Sequence, residues 1–339
     1  MTVNDISEEI IAQIARQVFG NDAKIENSTE IRPLSENGVP KVMGCNGNVS
    51  YTVNIKGYKQ AYLFRFNRGH RENLYEHETD IYKLISEKTD IPTPQVYHID
   101  QSCTTAPTAY IVMDWMKGDH WSFLSHPQNP QTTIAEKNEI LSKVGFYYAQ
   151  VHSIRKPTEE GESTSEDLLA RLEQLQHVVE DGQFDIDLDK IETCRRAIKN
   201  EKGIDLEISS LCIGDSEFHF RKSNGHWDIA FICDTEWVDY GDSYHDLSAQ
   251  LCYPEPMWAL QEPLGYADVN SVPAHCFFKA YDQVIGIDYE RLRRLATYSH
   301  FGLMCSITDQ IYRPEKRESM KSREPIYIAL LDAIAGLLT

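Results

Sequence analysis

CIGDSEFHFRKSNGHWDIAFICDTEWVDYGDSYHDL, residues 212–247, contains the acidic residues that decide the expected fold. Gly214 precedes Asp215, a polar turn follows, and an apolar run typical of a strand ends at a second aspartate, Asp234. Glu236 lies two residues further on. Phosphoryl transfer needs such a spacing. One carboxylate orients the attacking hydroxyl, while another at a strand end holds the metal ion that neutralises the nucleotide phosphates.

The stretch resembles the aminoglycoside phosphotransferase and choline kinase branch of the protein-kinase-like fold. That family has an H-G-D-x-x-x-x-N catalytic loop, an I-D-x-E metal segment and a G-D-P-x-x-D-L tail. Asp234 and Glu236 match the metal segment of the family. The tail is matched by four residues, Gly241, Asp242, Asp246 and Leu247.

Two positions depart from the family pattern. Gly214 and Asp215 match the catalytic pair, whereas Ile213 stands in place of the usual histidine and Phe220 in place of the usual asparagine. A phenyl ring offers no metal ligand. A second ion would therefore depend on Asp234, on water or on a substitute such as Glu217, Glu236 or His219. An ordinary acidic loop, strand and loop without chemistry is the alternative interpretation, since a single motif is a hypothesis.

Composition and charge limit the classes of partner. The chain has 339 residues and a formal net charge of −19, which argues against nucleic acid and against an anionic membrane as partners. A cationic substrate is compatible with this charge. The polar start and the eight scattered cysteines without a CxxC pair predict a cytoplasmic protein with free thiols. Oligomeric state is not indicated by any feature of the sequence.

Hydrophobic periodicity divides the chain into a mixed part and a mainly helical part. In the first part we expect a helix, a hairpin, a second helix and two further strands, over 7–19, 49–55, 61–66, 71–87, 94–99 and 108–116. In the second part we expect helices over 136–154, 167–181, 270–284, 288–310 and 323–338, with a polar loop over 155–167.

The resemblance extends from about residue 30 to 250 and implies an α+β, two-lobed protein-kinase-like fold. A small mixed β-sheet N-lobe with the N-terminal helix would span residues 1–117 and bind the nucleotide. A larger, mainly helical C-lobe would span residues 118–339 and contain the catalytic loop and the acceptor site.

Upstream residues fit the nucleotide-binding half of the family pattern. Arg65 lies in the apolar strand LFRF, where a charged side chain is costly unless it is paired, and Glu78 of the next helix is its expected partner. Gly47 and Asn48 precede the first hairpin strand, where the family has a glycine-containing loop over the phosphates. An outward-pointing arginine and an ordinary turn are the alternative interpretations.

Met113, Asp114 and Met116 resemble the segment that connects the lobes and meets the purine edge. The Asp114 carbonyl and the Met116 N–H are the candidate contacts, and a plain domain crossover is the alternative. His152 matches a structural histidine of the family. A zinc site of His219 and His226 with Cys212 and Cys233 is disfavoured, because the spacings match no common site.

The resemblance implies a small-molecule kinase. ATP or GTP would donate its γ-phosphoryl group, with Mg²⁺, to a hydroxyl of a small polar and preferably cationic molecule. Asp215 would be the catalytic residue, and Asp234, Glu236 and His219 the metal ligands. Two alternatives follow from the altered loop: a nucleotide-binding pseudokinase with a regulatory role, and nucleotidyl transfer through a changed metal site.

Overall fold

The computed structural model groups the chain into two compact units. The first comprises Met1–Ser125, Asn129–Glu136 and Ile213–Val238, and the second comprises the rest of the chain. The predicted lobe boundary at residue 117 remains a prediction. The structure describes residues 6–31, 35–36, 39–40, 48–67, 74–125, 129–160, 164–180, 185–200, 206–214, 216–252, 272–292, 294–295, 328 and 331–332.

The first unit contains a five-stranded antiparallel sheet in the order β1-β4-β5-β7-β6. The predicted hairpin is present, and Gly57 lies in its turn with a positive φ of 90°. The sheet strands are β1 (Ile25–Ile31), β4 (Asn48–Ile55), β5 (Ala61–Asn67), β6 (Val96–Asp100) and β7 (Tyr110–Asp114). Two short strands, β2 (Ser35–Glu36) and β3 (Val39–Pro40), pair separately.

Side chains of β5 alternate between two apolar layers. Tyr62, Phe64 and Phe66 pack with α1 (Glu8–Phe19), whose N-cap is Ser7. Leu63 packs in the opposite layer, with the tyrosines of α2 (Leu74–Lys88). Because side chains alternate along a strand, Arg65 belongs to the α2 layer, and the sheet thereby directs its guanidinium at that helix.

A second sheet of the first unit has the order β12-β11-β8. Its hairpin turns at Asn224 and Gly225, which both have positive φ, as the tight turn favoured by Asn-Gly requires. A polar turn was predicted where β11 lies, so this strand was missed. The elements are β8 (Asp119–His120), α3 (Trp121–Ser125), β11 (Glu217–Ser223) and β12 (His226–Cys233), and a 3₁₀ helix, Thr235–Trp237, follows.

The second unit is mainly helical. A buried apolar cluster packs α5 against α6 around Leu172 and Ile198. The unit contains α4 (Ile134–His152, whose first turn belongs to the first unit), α5 (Thr164–Glu180), α6 (Leu188–Asn200), α7 (Ser243–Cys252) and α8 (Val272–Ile285). Most of the helices predicted over 288–310 and 323–338 lie outside the described residues.

The prediction of a polar loop over 155–167 was wrong. Arg155–Glu160 forms β9, which pairs antiparallel with β10 (Glu207–Cys212), and β13 (Asp239–Gly241) completes a three-stranded sheet. Among the described residues, no helix combines the length and the apolar character that crossing a membrane requires.

Candidate active site

A buried ion pair lies between strand β5 and helix α2. Arg65 is 6% exposed and Glu78 is fully buried, and the guanidinium Nη2 bonds to Glu78 Oε2. The Tyr82 hydroxyl donates to Glu78 Oε1 at 2.6 Å, and the Tyr75 ring lies 5.2 Å from the guanidinium carbon. The predicted pairing of Arg65 with Glu78 is therefore present. The arginine is fixed in one orientation by a carboxylate and an aromatic face.

Asp234 follows the last residue of β12 and has a left-handed backbone, with φ 60° and ψ 45°. Its Oδ1 lies 3.7 Å from Arg65 Nη1, and the Ser216 hydroxyl donates to its carbonyl at 3.2 Å. Burial raises the pKa of the Asp234 carboxyl to about 7. Arg65 opposes this shift, and the negative charges of Glu217 and other carboxylates add to it.

Those other carboxylates are Glu78 and Glu236. Among the described residues, Glu236 Oε2 is buried without a hydrogen-bond partner. Oxygen donors with excess negative charge and an unsatisfied carboxylate oxygen are the surroundings that Mg²⁺ prefers. The donor chemistry of Asp234 and Glu236 therefore fits the metal that the resemblance implies.

His219, the third predicted ligand, lies on β11. Its Nε2 is 3.3 Å from Glu217 Oε2, its Nδ1 is 3.3 Å from the Gly118 carbonyl, and its ring stacks on Phe231 at 4.4 Å. Burial disfavours the charged form of Glu217, but the hydrogen bond from His219 and the potential of His120 outweigh it and lower the Glu217 pKa. His219 is thus placed beside a carboxylate within the pocket.

The strand register places Glu217, and not Phe220, next to Asp234. Glu217 pairs with Cys233, the residue before Asp234, whereas Phe220 pairs with Ile229 further along the hairpin. Counting residues from Asp215 identified Phe220 as the position of interest and gave Glu217 only as a substitute. The register explains why: β11 begins only two residues after Asp215, so the loop is short.

Glu217, His219 and Phe220 line one cavity of about 560 Å³ within the first unit, whereas Glu236 is not on its wall. Arg65 and Asp234 are on its wall, together with Met113, Asp114 and Met116. Several apolar or aromatic lining residues were not predicted, and no motif in the sequence marks them as lining a site: Leu63, Tyr82, Trp115, Trp227 and Phe231.

The Asp114 carboxylate is held by its neighbours. Its Oδ1 accepts from Gln60 Nε2 at 2.7 Å and from the Tyr97 hydroxyl at 2.9 Å, and its Oδ2 accepts from the Gln95 N–H at 3.3 Å. Only the backbone of this residue is therefore suited to contact a ligand, in line with the predicted carbonyl contact.

Three of the predicted site residues either are not on the cavity wall or lie outside the described residues. Asn48 is buried at the start of β4 and is not on the cavity wall. Gly47 and Asp215 lie outside the described residues, so their assigned roles stay predictions. Gly214, just before Asp215, has a φ of 58°, and a Cβ there would lie 3.2 Å from the Trp237 carbonyl. Glycine therefore suits both the backbone conformation and the close approach.

In the second unit, His152 has a structural environment. It is fully buried, and its two ring nitrogens lie 2.8 Å from the Tyr281 hydroxyl and 2.9 Å from Asp246 Oδ2. Asp242 caps the start of α7 through the Tyr244 N–H and pairs with Arg291. Both aspartates of the tail thus tie elements of this unit together.

Part of the chain is similar to a known family of phosphotransferases. Residues 45–202 match a family model that carries the description "phosphotransferase enzyme family". Together with the structural likenesses, this match confirms the resemblance to aminoglycoside phosphotransferases and choline kinases. A search of curated proteins finds no match to the chain.

Solved structures share the fold at low sequence identity. A candidate aminoglycoside phosphotransferase of Ralstonia eutropha is 13% identical, covers 98% of this chain and 99% of its own, and has a TM-score of 0.59. The GDP complex of an aminoglycoside 2′-phosphotransferase-IIIa mutant is 11% identical, with coverages of 97% and 96% and a TM-score of 0.56. Choline kinase of Cryptosporidium parvum is 14% identical, with coverages of 98% and 100% and a TM-score of 0.51. The predicted protein-kinase-like α+β fold is confirmed.

Proposed function

We propose that this chain transfers the γ-phosphoryl group of ATP or GTP to a hydroxyl group of a small polar, preferably cationic, molecule. One observation carries the proposal. Arg65, paired with the buried Glu78, lies beside Asp234 on the wall of a cavity that Met113 and Asp114 also line. A fixed cation, a carboxylate at a strand end and a backbone edge are the three parts that position a nucleotide.

Each side chain has a role in this proposal. Arg65, oriented by Glu78, binds phosphate oxygens, since a guanidinium matches their geometry. The backbone of Asp114 and Met116 contacts the purine edge, and Gly47 and Asn48 keep the phosphate-binding role that the resemblance implies, although Asn48 is not on the cavity wall. Asp215 orients the acceptor hydroxyl and receives its proton late in the reaction.

Asp234, Glu236 and His219 are the proposed metal ligands, and Mg²⁺ bound there would neutralise charge that develops on the transferred phosphoryl group. The pKa of about 7 for Asp234 means that a substantial fraction of this carboxyl is protonated near neutral pH. Metal-dependent nucleotide binding is therefore expected to weaken as the pH falls below about 7.

The first test is binding. ATP or GTP with Mg²⁺ should raise the melting temperature of the purified chain, because a ligand that binds the native state stabilises it by mass action. Asp215→Asn should keep this shift, whereas Asp234→Asn should lose most of its metal-dependent part. Asp22→Asn, at an exposed carboxylate after α1, is the matched control. No shift with any purine triphosphate and either Mg²⁺ or Mn²⁺ would count against the proposal.

The second test is turnover. We expect acceptor-stimulated release of ADP or GDP in a screen of amino sugars, choline-like alcohols, neutral nucleosides and acidic sugars. Asp215→Asn should lower the stimulated rate by ~100-fold or more, since general-base and orienting groups contribute that much. Binding without stimulated release by any acceptor would favour a nucleotide-binding regulator. Pyrophosphate release would favour nucleotidyl transfer.

A further inference from the structure

Three different metal-binding donors converge on the wall of the cavity. A carboxylate oxygen of Glu217, a ring nitrogen of His219 and the sulfur of Cys233 all lie within 4.8 Å of one another. Glu217 and His219 are two residues apart on β11, and Cys233 is opposite Glu217 on β12. The hairpin register therefore assembles a set that the spacing in sequence does not reveal.

The hydrogen bonds of His219 call for a cation between two acceptors. The Gly118 carbonyl can only accept, so Nδ1 at 3.3 Å is the nitrogen that donates to it. In a neutral imidazole, Nε2 then presents a lone pair towards Glu217 Oε2, which is 3.3 Å away. Two acceptors at this distance repel, so either a second ring proton, which makes the hydrogen bond to Glu217 described above, or a metal ion lies between them.

The surroundings of His219 are those of a metal ligand. Ligating histidines almost always donate their second N–H to a carboxylate, a backbone carbonyl or water, which fixes the ring and the tautomer. Here the carbonyl is that of Gly118, where a Cβ would meet the His219 Cβ at 3.0 Å. Phe231 holds the other side of the ring by stacking at an interplanar angle of 8°.

We propose that Glu217, His219 and Cys233 form a binding site for a divalent transition-metal cation of the Zn²⁺ or Co²⁺ class. Nitrogen and thiolate donors select such ions, whereas Mg²⁺ prefers oxygen alone. Bonds of about 2.0 to 2.3 Å in a tetrahedral site place ligand atoms on the order of 3.5 Å apart, so a small closure of the three atoms suffices.

Binding involves a proton exchange. The metal ion forms a bond to the Cys233 sulfur, and the thiol proton passes to solvent. Three protein ligands leave a fourth position for water or for a molecule in the cavity, as in metal sites that remain open. The site goes beyond the proposed phosphoryl transfer and does not require it.

Co²⁺ titration of the full chain without nucleotide tests the site. We expect a thiolate-to-metal charge-transfer band that saturates at one equivalent, is abolished by added Zn²⁺ and survives excess Mg²⁺, because Mg²⁺ would share only His219 with this site and prefers oxygen donors. Cys233→Ser should remove the band, and Glu217→Gln or His219→Gln should weaken Co²⁺ affinity by ~10-fold or more. Because neither nucleotide nor acceptor is present, failure of the proposed transfer reaction would leave this result unchanged.

Cys212→Ser is the matched control, since Cys212 belongs to the other three-donor group among the described residues, with His152 and Asp246. This variant should keep the band. Absence of the band in the wild-type chain, or its loss in Cys212→Ser but not in Cys233→Ser, would overturn the proposal. Should Cys233→Ser melt early without metal, Cys233→Ala provides the same test, and the intensity of the wild-type band still decides whether a thiolate binds.

Discussion

At Asp234, burial and neighbouring carboxylates oppose the charged form of the side chain, and Arg65 favours it. The pKa in the folded chain, about 7, is above the ordinary value of 3.8. The folded state therefore holds this proton to higher pH than the unfolded state does. It follows that the Asp234 contribution to the free energy of unfolding is fully present below about pH 4 and is lost as the pH rises through about 7.

Asp234→Asn should separate stability from binding. Above pH 7 the variant should be more stable than the wild type by on the order of 2 kcal/mol, since a strained charge is removed while the shape is kept. At pH 4 the difference should be small. Urea unfolding at both pH values, in a buffer that contains a metal chelator, measures the difference in the free energy of unfolding. A variant less stable at pH 8 than the wild type would show that the charge of Asp234 is fully compensated.

A second prediction concerns the buried ion pair of Arg65 and Glu78. Arg65→Met should lower the free energy of unfolding by ~3–5 kcal/mol, because Glu78 remains buried with its charge uncompensated. The double variant with Glu78→Gln should recover a large part of this loss, while nucleotide binding stays lost in both. Denaturant melts with thermal shifts distinguish these effects. Equal instability of the single and double variants would contradict the charge argument.

Sequence alone predicted this pair but not the Glu217–His219–Cys233 cluster. A charged residue inside the apolar strand LFRF requires a partner, and an acidic helix follows in the chain, so the inference is local. Glu217 and Cys233 are 16 residues apart and meet only through the register of a hairpin whose first strand was expected to be a turn. Registers depend on pairing and turn geometry, which residue counting does not capture.

At the scale of elements, helices α4 and α8 approach each other at Gly145. A Cβ at this position would lie 2.1 Å from the carbonyl oxygen of Phe277, a backbone atom that cannot turn away. Gly145→Ala should therefore destabilise the chain by ~2 kcal/mol or more, although alanine is the better helix former. Glu139→Ala on the same helix is the control. A melting temperature of Gly145→Ala equal to or above that of the wild type would show that α8 is free to shift.

Elements with strong apolar periodicity were predicted well, and polar ones were not. The helix that became α4 was expected over 136–154 and is found at Ile134–His152. By contrast, β9 has the sequence RKPTEE, which no apolar alternation marks as a strand, and α6 was not predicted at all. Pairing with β10 stabilises β9, and such tertiary partners override local propensity.

At the scale of the whole molecule, the net charge of −19 does not concentrate at the cavity. Among its described lining residues, the acids Asp114, Asp119, Glu217 and Asp234 are matched by the bases Arg65, Lys117, Arg221 and Lys222. An attraction for cationic acceptors must therefore come from the summed charge of the surface. Such a field acts over distances comparable with the screening length and raises the rate of encounter rather than the strength of final contacts.

This origin makes the salt dependence of turnover the decisive measurement. At saturating nucleotide, kcat/KM for a cationic acceptor should fall severalfold between ~0.15 M and ~1 M salt, where the screening length shrinks from ~8 Å to ~3 Å. A neutral acceptor of similar size should change far less, and kcat for both should stay nearly constant, because screening affects encounter. Equal changes in kcat/KM for the two acceptors would show that salt weakens nucleotide binding or inhibits the enzyme in general. A rise in kcat/KM with salt for the cation would rule out attraction by the net charge while leaving the fold and the proposed transfer intact.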